Sequence, residues 1–183
     1  GGPGNPLGAA AMYLGSSVYR IHGTNDPSTI GKCVSSGCIR LTNEDVQRLR
    51  DIERLTGGKY RSLVLDMTYP VADGAAGCEA MLKRLQDAAE RSVADGFNIV
   101  ILSDRAVSRD RVAVPALLAT SAVHHHLVRK GLRTLTGLVI DTGSARETHH
   151  FALLAGYGAE AICPWLAFDT IAEISNELPS GLS

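Results

Sequence analysis

The 183-residue chain lacks a dominant charge: 18 basic residues stand against 19 acidic ones, for a formal net charge of -1. A chain so balanced, with no block of like charge, offers no electrostatic footprint for nucleic acid or lipid headgroups. It also lacks an apolar run near the roughly 20 residues needed to cross a bilayer, so no membrane span is expected. Its four cysteines, Cys33, Cys38, Cys78 and Cys163, have no C-x-x-C spacing. Reduced thiols are expected, rather than a zinc site or a disulfide framework. No internal repeat and no low-complexity stretch is present. No signal peptide is visible, and the opening GGPGNPLG has no methionine, as expected of a piece of a longer protein. The length suits one domain, or one with an appendage, and lets about 70% of the unfolded surface be buried without disulfides or metals.

What is present changes character near residue 42. The first fifty residues are rich in Gly, Pro, Ser and Thr. They hold two short stretches of strand composition, AAAMYLG (9–15) and SVYRIHG (17–23). From Thr42 or Asn43, either of which can cap, a helix is predicted with Val46, Leu49, Ile52 and Leu55 at helical spacing, ended by Gly57-Gly58. Strands are then predicted at 60–69, 98–104, 135–143 and 159–165. Helices are predicted at 75–95, 114–131, 144–158 (capped by Ser144) and 168–178. Strands alternating with helices predict βαβ units and a parallel sheet. The expected fold is therefore α/β: a parallel sheet of about four strands with flanking helices, preceded by a small β-rich N-terminal segment.

In that first segment a cysteine and a histidine carry the chemistry. A cysteine attacks only as thiolate, so it needs a base or a positive field beside it. Cys38 follows Ser36-Gly37 and precedes Ile39-Arg40. Gly37 permits a tight turn that points backbone N–H groups at an oxyanion. Arg40 can raise thiolate character or hold a carboxylate. His22, sixteen positions earlier, is a candidate base. The stretch YRIHGTNDPSTIGKCVSSGCIRLTNEDV (19–46) resembles the active-site segment of the L,D-transpeptidases. The resemblance implies that Cys38 is the acylated nucleophile and His22 its base. It further implies that the Gly23 carbonyl orients the imidazole, and that Ser36, Gly37 and Arg40 shape the oxyanion and substrate site. The implied substrates are peptidoglycan stem peptides, cross-linked by acyl transfer to an amine. The first strands of that family's catalytic domain are missing. Cys33 departs from the pattern and reads as a buried thiol rather than a resolving partner.

The remainder resembles another family. LVLDMTY (63–69), FNIVILSDRAV (97–107) and residues 114–171 are similar to the central domain of the glutamate synthase large subunit, over 43–178. That family makes glutamate from glutamine and 2-oxoglutarate with FMN and an iron–sulfur cluster. The resemblance implies a connector whose cofactors and glutamine-hydrolysing cysteine belong to flanking domains, so no cofactor is expected here. Those flanking domains are the implied partners.

Residue by residue, His124, His125 and His126 point about 100° apart on a helix and do not converge on one metal; His149 and His150 fail likewise. Ser103-Asp104-Arg105 and Asp141-Thr142-Gly143-Ser144 fall at carboxyl ends of strands, where open sheets bind ligands. A helix N-terminus behind Ser144 would suit an anion. Asp104 with Arg105 reads as a loop-fixing ion pair. GYGA (156–159) follows a helix and is no dinucleotide fingerprint. Trp165 and Phe168 read as core aromatics.

Two units are therefore expected: 1–46, a partial L,D-transpeptidase catalytic domain, and 47–183, a glutamate synthase central-domain-like α/β domain. LTNEDVQRLR fits both families, so a recombined or misassembled reading frame, or an artificial sequence, would join them there. The two resemblances imply different compartments, periplasm or cell wall against cytoplasm, and leave the location open. The leading expectation is a thiol acyltransferase motif on a scaffold; the alternative is a fragment of glutamate synthase with no catalysis of its own.

Overall fold

The structure is a computed structural model that describes residues 11–13, 20–22 and 43–177. Its centre is a four-stranded, all-parallel sheet of β3 (Ser62–Asp66), β5 (Ile99–Ser103), β7 (Gly137–Asp141) and β8 (Ala161–Cys163), in that spatial order. Neighbours in the sheet are also successive βα units, because each crossover carries a helix. These are α3 (Gly74–Ala94), α4 (Ala116–Arg129) and α5 (Thr148–Gly156), and α6 (Trp165–Glu177) follows β8. The α/β architecture with about four parallel strands is thus as the alternation predicts.

Alternation within the strands sorts their side chains. Leu65, Val100, Leu102, Leu138, Ile140 and Ile162 join one core with Met81, Leu85, Ala89 and Val93 of α3, Ala119, Val123 and Leu127 of α4, and Leu154 of α5. The α3 and α4 residues recur at four-residue intervals, so each of these helices turns one stripe toward the sheet, and α5 adds Leu154. The opposite sheet face carries Val64, Ile101, Val139 and Ala161 in register across all four strands. On β5, Val100, Ile101 and Leu102 all have no exposed surface, so this strand is covered on both faces, as its unbroken apolar run predicts. Val64 at the β3 edge is 38% exposed.

Several boundaries differ from the predicted ones. The predicted strand 60–69 is two: β3, then β4 (Thr68–Pro70), which leaves the main sheet to pair antiparallel with β6 (Arg111–Ala113). The turn between them is closed by the Thr68 N–H donating to Asp66 Oδ1 at 2.8 Å. Arg111 then locks the ribbon, with Nη2 3.1 Å from Asp66 Oδ2 and Nε donating to Thr68 Oγ1 at 2.9 Å. The predicted helix from residue 42 divides at Asp51 into α1 (Asn43–Arg50) and α2 (Ile52–Leu55). Gly57 and Gly58, at φ 62° and 84°, end it as expected. Ser144 does not cap α5. That helix starts four residues later, where the backbone N–H groups of Arg146 and Glu147 donate to His150 Nδ1 at 3.1 and 3.3 Å.

In the N-terminal segment, β1 (Ala11–Tyr13) and β2 (Arg20–His22) pair antiparallel, with Ala11 opposite His22, as a sheet separate from the four-stranded one. Both lie inside the predicted extended stretches.

Candidate functional site: the carboxyl edge of the sheet

Asp66, Ser103, Asp141 and Cys163 end β3, β5, β7 and β8 in mutual register, so the four strands deliver a polar row to one edge. Two hydrogen-bonded networks fill this edge.

The first is centred on Asp141, which has no exposed surface. Its Oδ2 accepts from Arg50 Nη2 at 2.9 Å, from Arg105 Nε at 2.8 Å and from Ser103 Oγ at 2.9 Å. A buried carboxylate is tolerated when it is paired and its lone pairs are filled, and Asp141 meets both conditions. Arg50 reaches in from the end of α1, 91 residues away in sequence. Its Nε is buried without an acceptor, so this guanidinium is held by its outer nitrogen. Cys163 lies beside Arg105 Nη2 at 3.9 Å. Burial, aided by the Asp141 charge and opposed by Arg105, pushes its thiol up to about 12. At neutral pH it is the protonated, non-nucleophilic form.

The second network is centred on Asp104, 6% exposed in the loop after β5. Its carboxylate accepts from Thr142 Oγ1 at 2.6 Å, from the Gly143 N–H at 3.0 Å to each oxygen, and from Trp165 Nε1 at 2.6 Å. Thr142 Oγ1 in turn accepts from the Ser144 N–H at 3.1 Å. Gly143 sits at a close approach: a Cβ there would lie 3.0 Å from the Trp165 ring and 3.3 Å from Leu166 Cβ, so a side chain would press on both.

These networks correct three expectations. Asp104 does not pair with Arg105; Arg105 crosses to Asp141, and Asp104 is held by neutral donors. Trp165 is not simply a core aromatic. It is half-buried, and its indole N–H is committed to Asp104. The 142–144 turn does suit an anion, but the anion is the chain's own Asp104 carboxylate, and the start of α5 at Thr148 removes the helix terminus from the turn. The sequence signal for the Trp165 contact is that a tryptophan beside a strand end needs an acceptor for its N–H once buried.

The histidine runs behave as their angular spacing requires. His126 Nε2 lies 2.7 Å from Glu90 Oε2 on α3, His124 Nδ1 accepts from Arg133 Nε at 3.0 Å, and His150 caps its own helix. Burial, then the Arg133 charge, lowers the His124 pKa. Among the described residues no group of three or more His, Cys, Asp or Glu could hold a metal ion. Of the residues implied for thiol chemistry, only the backbone of His22, closing β2, is described; Gly23, Ser36, Gly37, Cys38 and Arg40 lie outside the described residues.

The cofactors of the glutamate synthase family can be tested against this edge. An iron–sulfur cluster takes about four thiolates. The described cysteines are Cys78 and Cys163, two thiols on different elements, so the described residues do not supply that set. The Asp104 carboxylate takes the donors of the 142–143 turn, so that turn offers none of them to a phosphate.

The profile of the glutamate synthase central domain matches residues 15–180. NADH glutamate synthase of Schizosaccharomyces pombe is 35% identical over 145 residues, 78% of this chain and 7% of that protein. The NADPH glutamate synthase large chain of Bacillus subtilis is 46% identical over 99 residues, 54% of this chain and 6% of the relative. The chloroplastic ferredoxin-dependent glutamate synthase of spinach, Spinacia oleracea, is 43% identical over 113 residues, 60% and 7% of the respective lengths. The chain thus spans less than a tenth of each of these relatives. The profile match starts at residue 15 and takes in His22 and Cys38, and neither comparison supports an L,D-transpeptidase segment. With its four-stranded parallel sheet and a match over nearly its whole length, the chain belongs to the glutamate synthase central-domain family.

Proposed function

We propose that the chain is a connecting domain of a glutamate synthase large chain. It would position a glutamine-hydrolysing domain and an FMN- and cluster-bearing domain, and catalyse no reaction itself. The observation that carries this reading is the internal saturation of the sheet's carboxyl edge. Asp141 is engaged by Arg50, Arg105 and Ser103, and Asp104 by Thr142, Gly143 and Trp165. Open α/β sheets place ligands at such an edge. Here both buried carboxylates are engaged by the chain's own donors, which favours a rigid spacer over a reaction centre. The partners it implies are the flanking domains of the same large chain. Titrating the purified chain with FMN, read by flavin fluorescence, is expected to give no saturable quenching. Stoichiometric binding would overturn the connector reading.

A second reading keeps acyl transfer by Cys38 with His22 as base, and it rests on the SSGCIR and RIHG motifs alone. Incubation with a carbapenem, followed by intact mass, tests it. An adduct lost in Cys38→Ala would support the motif. No adduct, or one that persists in that variant, removes it.

A further inference from the structure

We infer that His124 and Arg133 form an acid-released clasp at the amino end of the sheet: neutral His124 accepts from Arg133 and holds the entry to β8 closed, and protonated His124 lets it open. Arg133 lies in the single turn Arg133–Leu135 between α4 and β7. Its Nη1 donates to the Thr136 carbonyl at 2.7 Å, and its Nη2 donates to the Gly158 carbonyl at 2.8 Å and to Glu160 Oε1 at 2.9 Å. Its Nε donates to His124 Nδ1 at 3.0 Å. One guanidinium thus joins α4, the entry to β7 and the loop that leads from α5 into β8, and its side chain is only 13% exposed.

The histidine end of this clasp works in one protonation state. A guanidinium N–H points at Nδ1, so that nitrogen is the bare acceptor and the ring is the neutral tautomer with its proton on Nε2. A second proton goes to Nδ1, and it sets an N–H against an N–H and a cation against a cation. The ring has no room to slide toward the loop, because Gly158 lies against it: a Cβ there would overlap Nδ1, Cγ and Cε1. The charge is relieved only by parting the ring from Arg133 and the 157–160 loop.

The charges acting on the ring are Arg133, His125 next along α4 with its ring 5.1 Å away, and Glu160 at the entry to β8. Burial comes first, and with Arg133 and His125 it opposes protonation; the half-exposed Glu160 favours it. On the other elements packed against α4, Asp87 and Glu90 of α3 turn to Lys83 and to His126 with Lys130. α5 carries His149 and His150, the second capping its own helix, and Asp141 lies at the far end of β7. A histidine kept neutral in the closed form links opening to pH. The closed form loses ground as pH falls below the usual histidine value of 6.5, and the loss levels off once the closed form also takes the proton.

Amide exchange on the whole chain at about pH 7.5 and pH 5.5, with the parent beside His124→Asn, tests the clasp. The Asn Oδ1 stands in for Nδ1 as acceptor and takes no proton in that range. Pairing the two proteins at each pH cancels the intrinsic pH dependence of exchange and the titration of the other histidines. The parent-to-variant ratio of exchange at 158–160 is expected to rise by about five- to tenfold between the two pH values, the change produced by a proton excluded from the closed form over that interval. The ratio at 100–102 is expected to stay constant. A pH-independent ratio at 158–160 overturns the clasp, as does an equal rise at 100–102. Should His124→Asn fail to fold, the parent alone decides, by NMR titration of His124 and by exchange at 158–160 corrected for intrinsic rate. A His124 midpoint below 6.5, with corrected exchange climbing as pH falls from that value, supports the clasp. A midpoint at or above it, or flat corrected exchange, overturns it.

Discussion

At Asp141 a carboxylate with no exposed surface faces two guanidiniums whose side chains keep 30% and 32% of theirs, so the negative partner carries most of the desolvation. Asp141→Asn would leave Arg50 and Arg105 facing each other across a neutral amide. The expected loss is about 3 kcal/mol in urea unfolding, the lower end of the range for breaking a buried pair because both arginines stay partly hydrated. Cys163 gives a second residue-level outcome. With its thiol pushed up to about 12 by burial, iodoacetamide at mildly alkaline pH should alkylate Cys78 in the native chain and reach Cys163 only on unfolding, as read by peptide mapping. Gly158 is fixed by geometry: its φ is +109°, and a Cβ would lie 2.1 Å from His124 Nδ1. Gly158→Ala is expected to cost at least about 2 kcal/mol, and adding His124→Ala should recover part of that loss but not the part due to φ. None of these three constraints is visible in sequence. Asp141 and Arg50 are 91 positions apart, and the clash at Gly158 depends on how α4 passes the loop after α5.

Between elements, α3 and α4 are clamped by Glu90, whose carboxylate lies 2.7 Å from His126 Nε2 and 3.1 Å from Lys130 Nζ. These bonds, led by the one to His126, hold the Glu90 pKa below its usual value of 4.5. A carboxylate with a lowered folded pKa adds stability that is fully present above its unfolded value and fades as pH falls through the folded one. Glu90→Gln should therefore flatten the acid limb of the stability curve below about pH 4.5 and cost little additional slope above it, as measured by thermal unfolding across pH. The helices themselves were legible because their apolar residues recur at helical spacing, as Met81, Leu85 and Ala89 do. The β4–β6 ribbon was not. Its three-residue strands have no room for a periodic signal, and their pairing is set by Arg111 reaching back to Asp66 and Thr68. The start of α5 was misplaced because Ser144 has the chemistry of a cap, yet it is tied into the turn around Thr142.

Across the whole molecule, burial is greatest in the middle strands: residues 100–102 and 138–140 have at most 5% exposure, whereas β3 leaves Val64 open. Native-state hydrogen exchange should therefore place the slowest amides in β5 and β7, with β3 and α6 exchanging at lower cost. Comparable protection in β3 would mean that its open face is covered in solution. The sheet itself was readable because unbroken runs such as IVILS and LVID have no other home in a chain of this length. The carboxyl-edge networks were readable only as locations, since strand ends mark where polar groups gather but not which partner each selects.

The order β3-β5-β7-β8 is also the order of synthesis. Each strand leaving a ribosome would find its neighbour already laid down, and none has to be threaded between two others. The domain can grow by accretion from its first strand outward, with α6 and its tryptophan closing the series last.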